Sequence, residues 1–81
     1  MAHAYSIIST FSLKSEDGKE EHRLYMLKNP WAHSHTNTRF RGDDPIWTKN
    51  YINQVPYGID PRTSENHGIF FLNHTDMHRC I

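Results

Sequence analysis

The stretch HAYSIISTFSLKSEDGKEEHRLYMLKN, residues 3–29, has two segments of alternating character on either side of a polar connection. In residues 3–13, bulkier side chains on one face alternate with mostly smaller, polar ones on the other, which is the period-two pattern of a β-strand. Asp17-Gly18 in the connection suits the positive φ of a tight turn, and residues 22–29 again mix apolar and polar positions. The stretch therefore predicts an antiparallel β-hairpin.

The register of this hairpin predicts which residues meet at its open end. If the chain reverses between Lys14 and Glu21, the numbers of two facing residues add up to about 32–35. The partner of His3 then falls between Asn29 and about Ala32. The sequence thus predicts that His3 and Asn29 lie close together on adjacent strands.

The residues after the hairpin predict a loop and then a short helix. Pro30 ends the second strand, and residues 32–42 have neither a period nor an apolar run. Asp43 or Asp44, followed by a proline, is typical of a helix start. We therefore expect a short helix from Pro45 to about Asn53.

The last third of the chain predicts one buried strand and a terminal helix. Residues 54–57 are expected to be extended and residues 58–67 to form a polar loop. The apolar burst in residues 68–73 indicates a buried strand, and Asn73 to Asp76 resembles a capping box that opens a helix. These elements predict an α+β fold, mainly antiparallel sheet with one or two short helices.

The amino-acid composition argues against some classes of binding partner. The chain has 81 residues, enough for one small domain, and nine Lys and Arg balance nine Asp and Glu. This neutrality argues against nucleic acid or acidic lipid as partners, and no apolar stretch is long enough to insert into a membrane. Only 36% of the residues are hydrophobic, yet ten are aromatic. We expect a folded chain that is short of core.

The single cysteine, Cys80, allows no internal disulfide. Disulfides are rare where thiols are kept reduced, so the cytoplasm is the expected compartment.

The residues with possible catalytic chemistry lie at the predicted open end of the hairpin. A histidine and an asparagine on adjacent strands, with Trp31 two residues after the asparagine, are parts of a Cys/His/Asn hydrolase. In such a site the imidazole takes the thiol proton and the asparagine side-chain oxygen orients the ring. The chain has seven histidines, however, so His3 can equally be a structural residue at a strand start.

His3-Ala4-Tyr5-Ser6 and, after the hairpin, Leu27-Lys28-Asn29-Pro30-Trp31 resemble the second half of the catalytic core of calpain-type cysteine proteases, which belong to the papain-like clan. The similarity extends to about Met77. Further short motifs occur in the same order and spacing as in the family: Phe40, Asp44-Pro45, Trp47-Thr48, Gln54-Val55-Pro56-Tyr57 and Gly68-Ile69-Phe70-Phe71. The resemblance implies that residues 1–81 are a partial catalytic domain with the fold of the second papain-like subdomain, a half-barrel.

By this resemblance His3 is the general base, Asn29 its orienting partner and Trp31 the indole that flanks the cleft. The nucleophilic cysteine and the oxyanion-hole glutamine of the family lie in the preceding half-domain, and Cys80 follows the other two triad members instead. The expected function is therefore half of an intracellular cysteine endopeptidase that cleaves protein or peptide substrates. Without a thiolate partner this chain is expected to be inactive.

Calpains bind one calcium ion in this half-domain, and calcium requires six to eight oxygen ligands. The resemblance places four acidic ligands of the family at positions occupied here by His35, Gly42, His67 and Ile69. None of these is a carboxylate, although Asp43 adjoins one of them. We therefore expect no calcium site and no cofactor.

Three other interpretations stay open. His33-x-His35 and His74-x-x-x-His78, with Cys80 nearby, offer zinc ligands, but no CxxC pair anchors such a site. The aromatic residues can be imagined as a ligand platform and are more simply explained as core. Finally, a calpain-like module without its nucleophile can serve as a structural or interaction subunit. Its partner is then a larger assembly rather than a Cys-bearing half-domain.

Overall fold

The computed structural model describes residues 6–28 and 38–80 of the chain, and its first feature is the predicted hairpin. Strand β1, Ser6–Lys14, pairs antiparallel with strand β2, Glu21–Lys28. In the turn, the Asp17 carboxylate accepts the Ser15 hydroxyl at 2.6 Å and the Lys19 N–H at 3.0 Å. Gly18 follows with a φ of 74°, which a glycine adopts without steric cost.

The observed register lies inside the predicted range. Ser6 faces Lys28 at the open end and Lys14 faces Glu21 at the turn, so facing numbers add up to 34 and then to 35. The change occurs between Ile7 and Ser9, where one extra residue makes a β-bulge in β1. The hairpin prediction is confirmed for residues 6–28.

Strand β3, Ile69–Asn73, pairs antiparallel with the other edge of β2 and gives the sheet the order β1-β2-β3. Ile69 faces Lys28, and Asn73 faces Leu24. The apolar run in this strand is buried as predicted, with Phe70, Phe71 and Leu72 at most 5% exposed.

Each face of the sheet has its own apolar cluster, because alternate residues of β2 point to opposite faces. Leu24 and Met26 belong to the first cluster and Leu27 to the second. The first cluster contains Leu13, Leu24, Met26, Phe40, Trp47, Tyr51, Val55 and Phe71. The second contains Leu27, Phe70 and Leu72, with Tyr25 and Met77 packed against them. The prediction that the aromatic residues form core is confirmed for Phe40, Trp47, Tyr51, Phe70 and Phe71.

The first helix is shorter than predicted. Helix α1 spans only Lys49–Ile52, and its N-cap is Thr48, whose hydroxyl accepts the Tyr51 N–H. Asp44 does not cap a helix: its carboxylate accepts the Ile46 N–H at 2.9 Å and the Phe40 N–H at 3.0 Å, which closes a turn around Pro45. The predicted start at Pro45 was wrong because this turn uses the capping carboxylate.

Two short 3₁₀-helices replace predicted irregular segments. The first spans Pro56–Gly58, where an extended segment was expected, and it contains Tyr57 at a φ of 65°. The second spans Ser64–His67 within the predicted polar loop and ends at Gly68 with a φ of 76°.

Helix α2, His74–Cys80, starts where the capping pattern predicted. The Asn73 side-chain oxygen accepts the Asp76 N–H at 2.8 Å, which satisfies one of the unpaired donors of the first turn. The helix packs against β2 and β3. A three-stranded antiparallel sheet with a few short helices is compatible with the predicted α+β class.

Within the described part of the chain, no helix has the length and apolar character needed to cross a membrane.

The cap of α2 can be tested by mutation. Asn73→Ala removes the oxygen that accepts the Asp76 N–H, so we expect it to lower the free energy of unfolding by about 1 kcal/mol. Asn73→Asp keeps an acceptor at the same place and is expected to lose much less. Urea denaturation of both variants measures the difference, and equal stability of Asn73→Ala and the wild type would contradict the capping role.

Candidate active site

The predicted catalytic residues His3, Asn29 and Trp31 lie outside the residues that the structure describes. The described chain reaches the immediate neighbourhood of two of them. Ser6 and Lys28 form the last described pair of the hairpin, and Asn29 is the next residue after Lys28. The candidate site is therefore built here from the elements that lead into it and out of it.

The loop that leads out of this region is held by the buried aromatic ring of Phe40. Phe40 is 1% exposed and has a φ of 63°, a conformation that non-glycine residues seldom adopt. Its N–H donates to Asp44, and its carbonyl oxygen accepts the indole N–H of Trp47 at 3.2 Å. The Phe40 and Trp47 rings meet edge to face with their centroids 5.7 Å apart. These contacts on both sides of the residue hold the unusual φ in place.

Two carboxylates from later in the chain also bind this loop. The Arg39 N–H donates to Asp76 Oδ2 at 3.1 Å, and Asp76 is only 4% exposed. The Gly42 N–H donates to Glu65 Oε2 at 3.0 Å. Hydrogen bonds between a carboxylate and backbone N–H groups are stronger than neutral ones. The loop is thus tied to helix α2 and to the second 3₁₀-helix.

The described positions at which the resemblance places calcium ligands do not fit that ion. Gly42 has no side-chain oxygen, and a Cβ placed on it would lie 2.8 Å from the Pro61 carbonyl oxygen. His67 offers an exposed imidazole instead of a hard oxygen. Ile69 packs against the first apolar cluster, and its carbonyl oxygen accepts the Ser64 hydroxyl at 2.9 Å. The fourth position, His35, lies outside the described residues.

Asp43, the carboxylate next to one of these positions, is directed to the surface. Its side chain is 82% exposed and lies 3.7 Å from the Arg41 guanidinium.

The two histidines of α2 lie together. The rings of His74 and His78 are 4.7 Å apart between centroids, and His74 Nδ1 lies 3.4 Å from the Tyr25 hydroxyl. Across residues 6–28 and 38–80 there is no group of three His, Cys, Asp or Glu side chains that could hold a metal ion. His33 and His35 lie outside these ranges.

An open cavity of about 480 Å³ lies at the other end of the hairpin. Its lining comes from the β1–β2 turn, including Ser15 and Glu20, and from the α1 region, including Thr48 and Tyr51. Because these turn residues lie at the end of the sheet remote from Ser6 and Lys28, this cavity is separate from the predicted catalytic end.

The sequence of the chain matches the family model of calpain family cysteine proteases over residues 1–80. The chain belongs to this family. The match spans the hairpin, the loop with its carboxylate contacts and helix α2, so the calpain-type resemblance of the motifs is confirmed for the chain as a whole. No curated protein and no solved structure matches it.

Sequence reasoning missed the carboxylates that position the loop in this calpain-family chain. Asp76 was predicted only as part of a helix cap, and Asp44 as the cap of a different helix. Glu65 had no local signal at all, because its partner Gly42 is 23 residues away. Only the folded arrangement identifies these contacts.

The residues just before the second 3₁₀-helix include a pH-sensitive ion pair between Asp60 and Arg62. Hydrogen bonds from the Arg62 guanidinium, followed by one from the Arg62 backbone N–H, lower the pKa of Asp60 from 3.8 to about 2. The guanidinium binds both carboxylate oxygens, at 3.0 and 2.8 Å. The Asp60 carbonyl oxygen also accepts the Ser64 N–H at 3.0 Å, so the pair lies at the start of the second 3₁₀-helix.

This lowered pKa predicts how stability depends on pH. Since the folded state binds the Asp60 proton less readily, the pair stabilises the fold above pH 3.8, and this contribution is lost as the pH falls through about 2. Asp60→Asn removes the titrating group. As the pH falls from 3.8 to about 2, the melting temperature of this variant should therefore fall less steeply than that of the wild type. Thermal unfolding measured from neutral pH down to pH 2 tests this, and parallel curves for the two proteins would contradict it.

Proposed function

We propose that this chain supplies the general base and the orienting amide of a calpain-like cysteine endopeptidase, and that a separate segment supplies the nucleophilic cysteine. In this proposal His3 takes the proton of the thiol, and the side-chain oxygen of Asn29 accepts the ring N–H and fixes the orientation of the imidazole. Trp31 flanks the cleft. Residues 1–81 then act as the second papain-like subdomain, with the sheet as part of its half-barrel.

The observation that carries the proposal is the hairpin register next to these residues. Ser6 faces Lys28, Asn29 follows Lys28, and His3 precedes Ser6 by three residues. Because one residue spans at most about 3.6 Å of chain, His3 is within about 11 Å of Ser6 in any conformation. This register supports the proposal that both triad members lie at the open end of one hairpin.

The order of residues along the chain supports a thiol from elsewhere. Cys80 is the last residue of helix α2. The family resemblance also places the nucleophile before the histidine and the asparagine, whereas Cys80 follows both. A reducing, intracellular compartment suits a mechanism that needs a free thiol.

A second candidate function is a catalytically inactive calpain-like module that binds other proteins. Its support is the edge strand β1, on which Ile7 is 56% and Ile8 37% exposed. Within the described residues, the outer edge of β1 has no neighbouring strand. An exposed apolar edge is a template for pairing with another chain. A protein assembly partner would cover this edge with or without catalysis.

Reconstitution tests the catalytic proposal. The chain is mixed with a Cys-bearing half-domain of a calpain-family protease, and cleavage of a fluorogenic peptide is followed. We expect His3→Ala to lower kcat by about 100-fold or more, because general-base catalysis contributes at least that factor. Asn29→Ala should lower kcat less, since the base itself remains.

Matched controls separate catalysis from folding. His78→Ala and Asn66→Ala replace exposed residues of the same types outside the proposed triad, and both should keep the wild-type rate. Activity that is indifferent to His3→Ala would disprove the catalytic role. A folded complex without activity would favour the inactive module instead.

A further inference from the structure

Two segments of this chain contact each other where the family resemblance implies a calcium ion. The resemblance places acidic calcium ligands both in the loop around Gly42 and in the segment around His67 and Ile69. In this chain a direct contact joins the same two segments, because Glu65 Oε2 accepts the Gly42 N–H at 3.0 Å. Glu65 lies in the 3₁₀-helix Ser64–His67.

We propose that Glu65 replaces the metal as the link between these segments and is a positioning residue for the loop that follows Asn29. The loop is then held in place whether or not calcium is present. This inference rests on the proposed function for the importance of that loop, but the link itself is a property of the folded chain.

The packing around Gly42 leaves no room for an acidic side chain at this position. A Cβ on Gly42 would lie 2.8 Å from the Pro61 carbonyl oxygen and 3.4 Å from that of Arg62, and the first distance is shorter than real Cβ contacts allow. The clashing atom belongs to the backbone of Pro61, which is fully buried, so it cannot move aside easily. An aspartate at position 42 therefore cannot take a ligand position without displacing the segment that would supply the other ligands.

The Glu65 carboxylate is already engaged by the Gly42 N–H. Were Glu65 to turn towards a metal ion, the Gly42 N–H would lose its acceptor. Asp76 meanwhile holds the preceding part of the loop through the Arg39 N–H at 3.1 Å. The loop thus has two carboxylate anchors of its own, on helix α2 and on the 3₁₀-helix.

The first experiment measures the link locally, by amide hydrogen exchange of Gly42 in the 81-residue chain. Glu65→Ala should speed this exchange by about tenfold, because the N–H loses its acceptor. Glu65→Gln keeps a side-chain oxygen and should restore most of the protection. Glu16→Ala removes an exposed glutamate of the β1–β2 turn and serves as the matched control, with no change expected at Gly42. Equal Gly42 exchange in Glu65→Ala and the wild type would overturn the proposal.

The second experiment measures calcium dependence with a pair of variants at one position. Gly42→Ala and Gly42→Asp both add a Cβ, so both should lower the melting temperature by roughly 5 °C or more, and neither should respond to calcium. The wild type should also show no calcium binding by calorimetry and no shift in melting temperature. Failure of both variants to fold supports the close packing at Gly42.

Calcium binding by the wild type, or by Gly42→Asp with wild-type stability, would overturn the proposal. None of these measurements requires peptidase activity. A failure of the catalytic reconstitution therefore leaves the link standing, and a failure of the link leaves the triad assignment standing.

Discussion

Strand β2 is paired along both edges and carries apolar side chains on both faces, and the rest of the described structure depends on covering it. Leu24, Met26 and Leu27 are each at most 1% exposed. Burying one such side chain stabilises the fold by about 1.5–3 kcal/mol relative to leaving it in water. Neither face can stay open, so the loop and α1 cover one face while α2 covers the other.

Because both faces of β2 are apolar, polarity alone does not fix the register of the hairpin: a one-residue slip would exchange one apolar set for another. The register is fixed at the turn instead. Asp17 and Gly18 shape the turn, and the Gln54 side chain then binds the main chain of Lys14 on both sides. It accepts the Lys14 N–H at 2.8 Å and donates to the Lys14 carbonyl at 2.9 Å. The Gln54 side-chain amide thus binds Lys14 as the backbone of a neighbouring strand would. These two hydrogen bonds join the segment after α1 to the hairpin.

The parts of the fold that sequence predicts are those with a local cause. The hairpin, β3 and the cap of α2 each follow from neighbouring residues, and each is present. The start of α1 does not, because the Asp44 carboxylate can cap a helix or close a turn. The choice depends on the Phe40 N–H that it also accepts. No local pattern predicts a phenylalanine at positive φ, since that conformation is stabilised by contacts of its N–H, ring and carbonyl that form only in the folded chain. For the candidate site, the register predicts that His3 and Asn29 meet, whereas the anchors Glu65 and Asp76 act across 23 and 37 residues.

Three acidic residues of this chain each bind a backbone N–H group of one loop, and this arrangement suits a chain that is short of apolar residues. With 36% hydrophobic residues, the chain has little apolar surface with which to hold a long loop. Carboxylates supply what burial does not: Asp44, Glu65 and Asp76 each accept a backbone N–H from residues 39–42. A carboxylate directed at an N–H group needs no second ligand, whereas a calcium site needs six to eight oxygens converging on one point. Once the acids are distributed along the loop in this way, they cannot converge. The hydrogen bonds that position the loop therefore engage these three carboxylates one by one, at separate N–H groups.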